Sequence, residues 1–153
     1  MTERIRVFVE NEAGSDIKNI HDERTLTHLG SRRVARSYPY PYGFVLDTHN
    51  DDGDNLDCYL LTEQPLLRGA VVECDVIGLM EQTEDGAQDH NILAVLPGEP
   101  CSVDDRVQAC LSEFVRHVFD NLPGRSVHAG RFLGVEAALQ LIERCRAAAK
   151  RVG

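Results

Sequence analysis

The chain has 153 residues, of which 42% are hydrophobic and 27% charged, and this composition predicts one globular domain with a core of its own. Sixteen Lys+Arg residues against 25 Asp+Glu residues give a net charge of −9, which argues against a surface that binds nucleic acid or an acidic membrane through its charge. No apolar run approaches the roughly 18 residues of a transmembrane helix, the N-terminus lacks the shape of a signal peptide, and five cysteines without CxxC spacing favour reduced cytoplasmic thiols.

The first two thirds of the chain are predicted to be β-structure. Alternating and branched residues predict a strand at 5–12, and a short second strand follows at 17–21. Residues 26–37 are compatible with a strand, a bulge at Gly30 and a loop. The following segment, "YPYPYGF" at 38–44, is not helical because its prolines lack amide donors and push the preceding residues into extended geometry. Further strands are predicted at 44–48, 56–62, 70–81 and 90–97.

The last third of the chain changes character. Apolar residues recur at helical spacing over 102–120 and predict an amphipathic helix that ends before Pro123-Gly124. One more strand is predicted in 126–132, and strong helix formers predict a second helix over 134–150. Strands followed by helices indicate an α+β domain, with the helices packed outside a closed or nearly closed sheet. The strand spacing favours a barrel over a sandwich only weakly.

An acidic turn, "DDGDNLD" at 51–57, lies between two predicted strands. Its carboxylates repel one another unless the turn is open to water or a cation binds among them. Gly53 permits a tight reversal, so that Asp52, Asp54 and Asp57 can face a common point. Carboxylate oxygens are the ligands that Mg²⁺ and Ca²⁺ prefer. The spacing does not fit an EF-hand, since the required glycine and closing glutamate are absent from their positions.

A second acidic turn, "TEDGAQDHN", carries Glu84, Asp85 and Asp89. If both turns meet at one mouth of a barrel, their carboxylates can hold two or more metal ions. The alternative is that both are solvated turns, in which Asp and Gly are favoured for conformational reasons alone.

Three segments in this order, "YPYPYGF", "DGDNLDCYLL" and "PLLRGAVVECDVIGLMEQTEDGAQDHNILAV", resemble the family I soluble inorganic pyrophosphatases over about residues 5–150. The resemblance implies a single domain over the whole chain, 1–153: a small closed five-stranded, OB-like β-barrel with additional hairpins and two C-terminal helices packed outside. It also implies hydrolysis of pyrophosphate with two or more Mg²⁺ ions per subunit, with Mn²⁺ or other divalent ions as substitutes. By analogy with the family, a cytoplasmic homo-oligomer, a hexamer, is expected.

The same resemblance implies the metal half of a site. The family pattern makes Asp52, Asp54, Asp57 and Asp89 metal ligands, and Glu84 stands where the family has a further aspartate. It also makes Asp54 the base that helps to form the attacking hydroxide.

The phosphate half is implied less completely. Tyr42 matches a tyrosine that hydrogen-bonds near the nucleophile and phosphate, Glu10 a second-shell acid, and Lys18 a phosphate-binding lysine. A phosphate-binding arginine is expected among Arg32, Arg33 and Arg36. Arg125 follows a glycine where the family often carries lysine, and it is the best candidate to replace lost phosphate contacts.

Several positions depart from the family pattern. Asn91 replaces a lysine, Val118 and Phe119 replace a tyrosine and a lysine, and Pro41 replaces an asparagine. Each lost charge-assisted phosphate contact costs about 1.5–3 kcal/mol if nothing compensates. Three hypotheses remain open from the sequence: a Mg²⁺-dependent, perhaps slow, pyrophosphatase; a hydrolase of another phosphate compound; and a non-enzymatic module that binds metal, phosphate or protein.

Overall fold

The computed structural model describes residues 4–50 and 53–152, and these residues contain nine strands and two helices. The strands are β1 (Arg4–Asn11), β2 (Ile17–His21), β3 (His28–Arg33), β4 (Tyr42–Val45), β5 (Asp57–Leu60), β6 (Val71–Glu84), β7 (Ala87–Gln88), β8 (Asn91–Val95) and β9 (Val127–Leu133). The helices are α1 (Asp105–His117) and α2 (Val135–Val152).

Five strands close into a barrel. The pairing order is β1-β4-β5-β8-β6, and β6 returns to pair with β1, which leaves no open edge in this ring. Strands β7 and β9 extend from the far end of β6, and β2 and β3 form a separate two-stranded hairpin. The prediction of a closed five-stranded barrel with added strands and two helices is confirmed.

Strand β1 forms part of the barrel wall, and its inward-facing residues are apolar. Val7 and Val9 are fully buried, in agreement with the alternation in "RIRVFVEN". Against β1 lies Gly43 of β4, at which an added Cβ would lie 1.8 Å from the carbonyl oxygen of Phe8. Only glycine allows the two backbones to approach this closely.

Strands β5 and β8 pair in parallel, which is unusual in so small a barrel built mostly of antiparallel pairs. Asp57 is the register partner of Asn91, and each of them begins its strand. Parallel strands present their N-terminal ends at the same edge. The segments that precede β5 and β8 therefore meet at one rim of the barrel.

The two helices cover two halves of the core. Helix α1 begins after the N-cap Asp104, whose carboxylate accepts a hydrogen bond from the amide of Val107, and it buries Leu111 and Phe114. Helix α2 packs against β6, with Ala138 and Ile142 buried in the barrel core. Within the described residues, neither helix is both long and apolar enough to cross a membrane.

Some element boundaries differ from the sequence predictions. Strand β4 lies two to three residues earlier than the predicted 44–48, because the chain turns at Asp47, which has a φ of 62°. Strand β6 continues three residues beyond the predicted end at 81. The ambiguous segment 26–37 contains β3, and its bulge lies where the pairing skips from Gly30 to His28.

Candidate active site

Both acidic segments line one cleft of about 260 Å³ at the rim where β5 and β8 begin. Asp54, Asp57, Glu84 and Asp89 of these segments contribute carboxylates to its lining, and Glu10 and Glu23 contribute two more. The opposite chemistry is also present, because Lys18 and Arg125 line the same cleft. Asp52, which the family pattern makes a metal ligand, lies outside the described residues.

The first acidic segment is fixed by hydrogen bonds to its flanks. The amide of Leu56 donates to Oγ1 of Thr48 at 2.9 Å, and that hydroxyl donates to the carbonyl oxygen of Val45 at 2.7 Å. The amide of Asn55 donates to Oε1 of Glu23 at 2.9 Å, which joins the segment to the turn between β2 and β3. These bonds place Asp57 at the start of β5, facing the cleft.

The second acidic segment is a tight hairpin. Asp85 and Gly86 both have positive φ values, 51° and 86°, as a two-residue turn of this hand requires. Glu84 ends β6 immediately before the turn, and the amide of Asp89 donates to the carbonyl oxygen of Gln82 at 2.8 Å. Both acidic residues are thereby brought to the cleft from opposite arms of one hairpin.

Two neutral amides, those of Asn91 and Gln82, lie beside Asp89. Asn91 is fully buried and donates from Nδ2 to Oε1 of Gln82 at 2.9 Å. Gln82 in turn donates from Nε2 toward Oδ2 of Asp89 at 3.5 Å. Sequence reasoning did not single out Gln82, because its role depends on contacts made across β6 and β8.

Lys18 is a half-buried cation that lines the cleft. Burial by itself lowers the pKa of its ammonium group, but electrostatic interactions with Tyr38, Asp57, Glu10 and Glu84 outweigh burial, and the pKa is raised above 10.5. Lys18 therefore carries a full charge at neutral pH. Its Nζ lies 5.7 Å from the ring centroid of Tyr42.

Three tyrosines form the floor of the cleft. The ring centroids of Tyr38 and Tyr42 lie 5.5 Å apart, and those of Tyr42 and Tyr59 lie 4.8 Å apart. Burial raises the pKa of each phenol, and nearby Asp57 contributes in the same direction. The phenols therefore stay protonated and act as hydrogen-bond donors rather than as bases. The tyrosine cluster in "YPYPYG" was the sequence signal for Tyr38 and Tyr42, whereas Tyr59 had none.

Arg125 sits on the outer wall, between a carboxylate and an aromatic ring. Its guanidinium donates to Oε1 of Glu84, lies 3.7 Å from Oδ2 of Asp85, and lies 4.5 Å from the ring centroid of Phe119. Glu84, which stands where the family has a shorter aspartate, thus contacts the residue expected to bind phosphate.

Glu10 lines the inner end of the cleft and contacts a buried histidine. Its Oε2 lies 3.1 Å from Nδ1 of His21 and accepts a hydrogen bond of 3.1 Å from the backbone amide of the same residue. The other ring nitrogen of His21 lies 3.4 Å from the guanidinium of Arg68. His21 was missed in the sequence, where a single histidine in "IKNIH" carries no signal for a site.

The three candidate arginines are distributed around β3. Arg32 is exposed and is the register partner of Lys18, but it does not line the cleft. Arg33 points to the other face, where it pairs with Asp16 at 3.1 Å. Arg36 is also exposed. The assignment of a phosphate-binding arginine to Arg32 stays a prediction.

The donor set of the cleft fits a hard divalent cation. The carboxylates of Asp54, Asp57, Glu84 and Asp89 offer oxygen ligands, which Mg²⁺ and Mn²⁺ prefer and softer metals bind less well. Among residues 4–50 and 53–152, no three acidic, histidine or cysteine side chains are gathered closely enough to form a ready-made metal site. The predicted ligand set also includes Asp52, which is outside these residues.

Comparison with known proteins gives a consistent result. The family described as "Inorganic pyrophosphatase" matches residues 7–150. The inorganic pyrophosphatase of Geobacillus stearothermophilus is 33% identical over 153 residues, covering 92% of this chain and 91% of the relative. That of Nanoarchaeum equitans is 28% identical, covering 93% and 95%. The crystal structure of the inorganic pyrophosphatase from Thermus thermophilus superposes with a TM-score of 0.88 at 27% identity, covering 97% of this chain and 92% of that one.

The match extends over the barrel, both acidic segments and both helices, and the structural similarity covers nearly the whole chain. The chain therefore belongs to the inorganic pyrophosphatase family, as the resemblance of its motifs to family I soluble inorganic pyrophosphatases predicted.

Proposed function

We propose that the protein hydrolyses inorganic pyrophosphate to two phosphates and depends on Mg²⁺, with two or more ions per subunit and Mn²⁺ as a substitute. The observation that carries the proposal is the composition of one cleft, which is lined by the carboxylates of both acidic segments together with Lys18, Arg125 and protonated tyrosines. Carboxylates suit the metals, and the cations and phenols suit a highly charged phosphate anhydride.

The cationic and phenolic side chains of the cleft bind and orient the anion. Lys18 and Arg125 neutralise phosphate oxygens, and the phenol of Tyr42 donates a hydrogen bond that does not depend on pH near neutrality. Because carboxylates outnumber cationic side chains in the cleft and the whole chain carries a net charge of −9, bound divalent ions would have to supply the positive charge that lets the anion enter.

The acidic residues of the cleft prepare the nucleophile. When bound, Mg²⁺ lowers the pKa of water and neutralises phosphate charge. Asp54 accepts a proton from the attacking water as a new P–O bond forms in line with the bridging oxygen. The bridging P–O bond breaks, its electron pair stays on the leaving phosphate, and that phosphate takes up a proton. The negative charges of Asp57, Glu84 and Asp89 balance the positive charges of the cations in the cleft.

The remaining assignments follow the family resemblance. We infer a cytoplasmic location, since all five cysteines are free thiols, as is usual in a reducing compartment. A homo-oligomer, a hexamer by family analogy, is the expected assembly. Among the described residues of the cleft, no contact favours hydrolysis of another phosphate compound or binding without turnover.

Phosphate release from pyrophosphate, followed by a colorimetric phosphate assay with and without Mg²⁺, tests the proposal. Asp54→Asn is expected to remove at least about 99% of turnover, since it deletes the proposed base. The matched control is Asp47→Asn: Asp47 is exposed, pairs with Arg6 and lies outside the cleft, and asparagine tolerates its φ of 62°. Absence of turnover in the unsubstituted protein with saturating Mg²⁺ would refute the proposal.

A further inference from the structure

We propose that Phe119, which stands where the family carries a lysine, is a positioning residue that holds Lys18 and Arg125 in place for phosphate. The inference rests on the proposed function, because it assigns a role within the same cleft. It reverses the first interpretation of Phe119 as a lost phosphate contact: the ring supplies no charge, but it organises two charges that come from other parts of the chain.

The geometry around the ring is specific. Nζ of Lys18 lies 5.9 Å from the ring centroid of Phe119, and the guanidinium carbon of Arg125 lies 4.5 Å from it. Both distances are within the range of cation–π attraction. Lys18 comes from β2 and Arg125 from the segment before β9, so the ring is the shared contact between two cations that are distant in sequence.

The ring is itself held firmly. Phe119 directly follows Val118, which is buried and is the C-cap of α1, and Phe119 packs against the apolar cluster beneath that helix. A ring on a fixed backbone restricts the rotamers of a long cation lying over it. Glu84 and Asp85 hold the guanidinium of Arg125 from the other direction.

The ion pair between Arg125 and Glu84 does not by itself fix the position of the Arg125 side chain. The Arg125 side chain is 33% exposed, and ion pairs of partly exposed arginines are screened by water. Without the ring, Arg125 can follow Glu84 or swing into solvent, and Lys18 keeps the ring of Tyr42 and the nearby carboxylates but loses the contact that it shares with Arg125. The ring contacts also occupy the apolar wall, so the wall is not free to receive an organic group of a substrate.

Two substitutions at Phe119 distinguish the effect of the aromatic ring from the effect of side-chain volume. Phe119→Leu keeps an apolar side chain and removes the π face, and it is expected to raise KM for pyrophosphate about threefold to thirtyfold while changing kcat less. Phe119→Tyr keeps the ring and is expected to stay within about twofold of the unsubstituted protein. Phe132→Leu is the matched control, since Phe132 packs on the same apolar cluster but lies outside the cleft.

A second measurement does not depend on turnover. The side-chain Nε–H proton of Arg125 is expected to carry a ring-current shift in NMR spectra, and Phe119→Leu should abolish that shift whereas Phe132→Leu should leave it. An unchanged Arg125 resonance in Phe119→Leu, or an equal rise in KM for both leucine variants, overturns the positioning role. If the unsubstituted protein hydrolyses no pyrophosphate, the proposed function fails by itself, and the Arg125 resonance still decides whether the ring positions the cation.

Discussion

Asp57 and Asn91 are register partners across the parallel strands β5 and β8. Because both residues begin their strands, Asp57 faces the cleft next to Asp89, which lies two residues before Asn91. This single pairing brings two acidic segments, about thirty residues apart in the chain, to one rim.

Asp57→Asn should therefore weaken Mg²⁺ binding and activity together. Loss of an outer-shell partner of a metal already costs about 10–100-fold, so removal of a direct carboxylate ligand should cost at least as much. Folding should be unaffected without Mg²⁺, since the substitution also reduces repulsion among the carboxylates. The rise of Tm with Mg²⁺, compared between the two proteins, measures the change. An identical rise in both would show that Asp57 does not contact the metal.

Arg125→Met should raise KM for pyrophosphate about tenfold to a hundredfold, the equivalent of one charge-assisted phosphate contact of about 1.5–3 kcal/mol. Arg131→Met is the matched control, because Arg131 makes a comparable pair with Glu81, at 2.8 Å, but does not line the cleft. Steady-state kinetics of both variants provide the measurement. Equal kinetic effects in the two would mean that overall charge, rather than a contact of Arg125, is responsible.

Gly43→Ala should destabilise the barrel severely. The new Cβ would lie 1.8 Å from the carbonyl oxygen of Phe8, and the backbones of β1 and β4 would have to separate. We expect a loss of about 3 kcal/mol or more in the free energy of unfolding, measured by urea denaturation. Gly30→Ala is the control, since an added Cβ there meets no atom within 4 Å and the φ of Gly30 is not positive. A mild effect at Gly43 would contradict the described β1–β4 contact.

The free energy of unfolding should fall above about pH 10, and Tyr59→Phe should make that fall shallower. Burial raises the pKa of Tyr59 well above 10.0, so in this range the unfolded chain loses the phenolic proton first. Stability is therefore fully present below pH 10 and declines as the pH rises, by up to about 1.4 kcal/mol per pH unit for one proton. Lys18, whose pKa is also raised, loses its contribution in the same direction above pH 10.5.

Urea denaturation at several pH values between 9 and 12 gives these curves. Tyr40→Phe is a suitable comparison, because Tyr40 is only half-buried and should change the curve less. If both substitutions flatten the curve equally, burial of Tyr59 is not the cause of the alkaline loss.

Local pattern was enough to predict most elements of the fold. Alternation in β1 and helical spacing in α1 reflect burial on one face, which neighbouring residues determine. The parallel pairing of β5 with β8 was not predictable in this way, because the periodicity of a strand does not identify its partner. The end of β4 at Val45, before the turn at Asp47, was missed for a related reason: a positive φ leaves no clear trace in a run that reads "FVLDT".

The residues of the candidate site likewise fall into those that a local motif predicts and those that only contacts between strands identify. Asp54, Glu84 and the other acidic residues lie in short motifs whose composition is itself unusual, so the sequence indicated them. Gln82 and His21 line the cleft only because they contact Asp89 and Glu10 from other strands. Phe119 read as a missing lysine until the positions of Lys18 and Arg125 gave its ring a set of neighbours.

The pairing of β6 with several strands affects how the chain folds during synthesis. Its first residues pair with β1, its middle with β8 and its end with β9, so residues from both termini depend on one fourteen-residue segment. During synthesis, β1 can pair with β4 early, but its second neighbour is complete only when Asp75 has left the ribosome. Such distant pairings favour slow and late ring closure, with one edge of β1 unpaired in the interval.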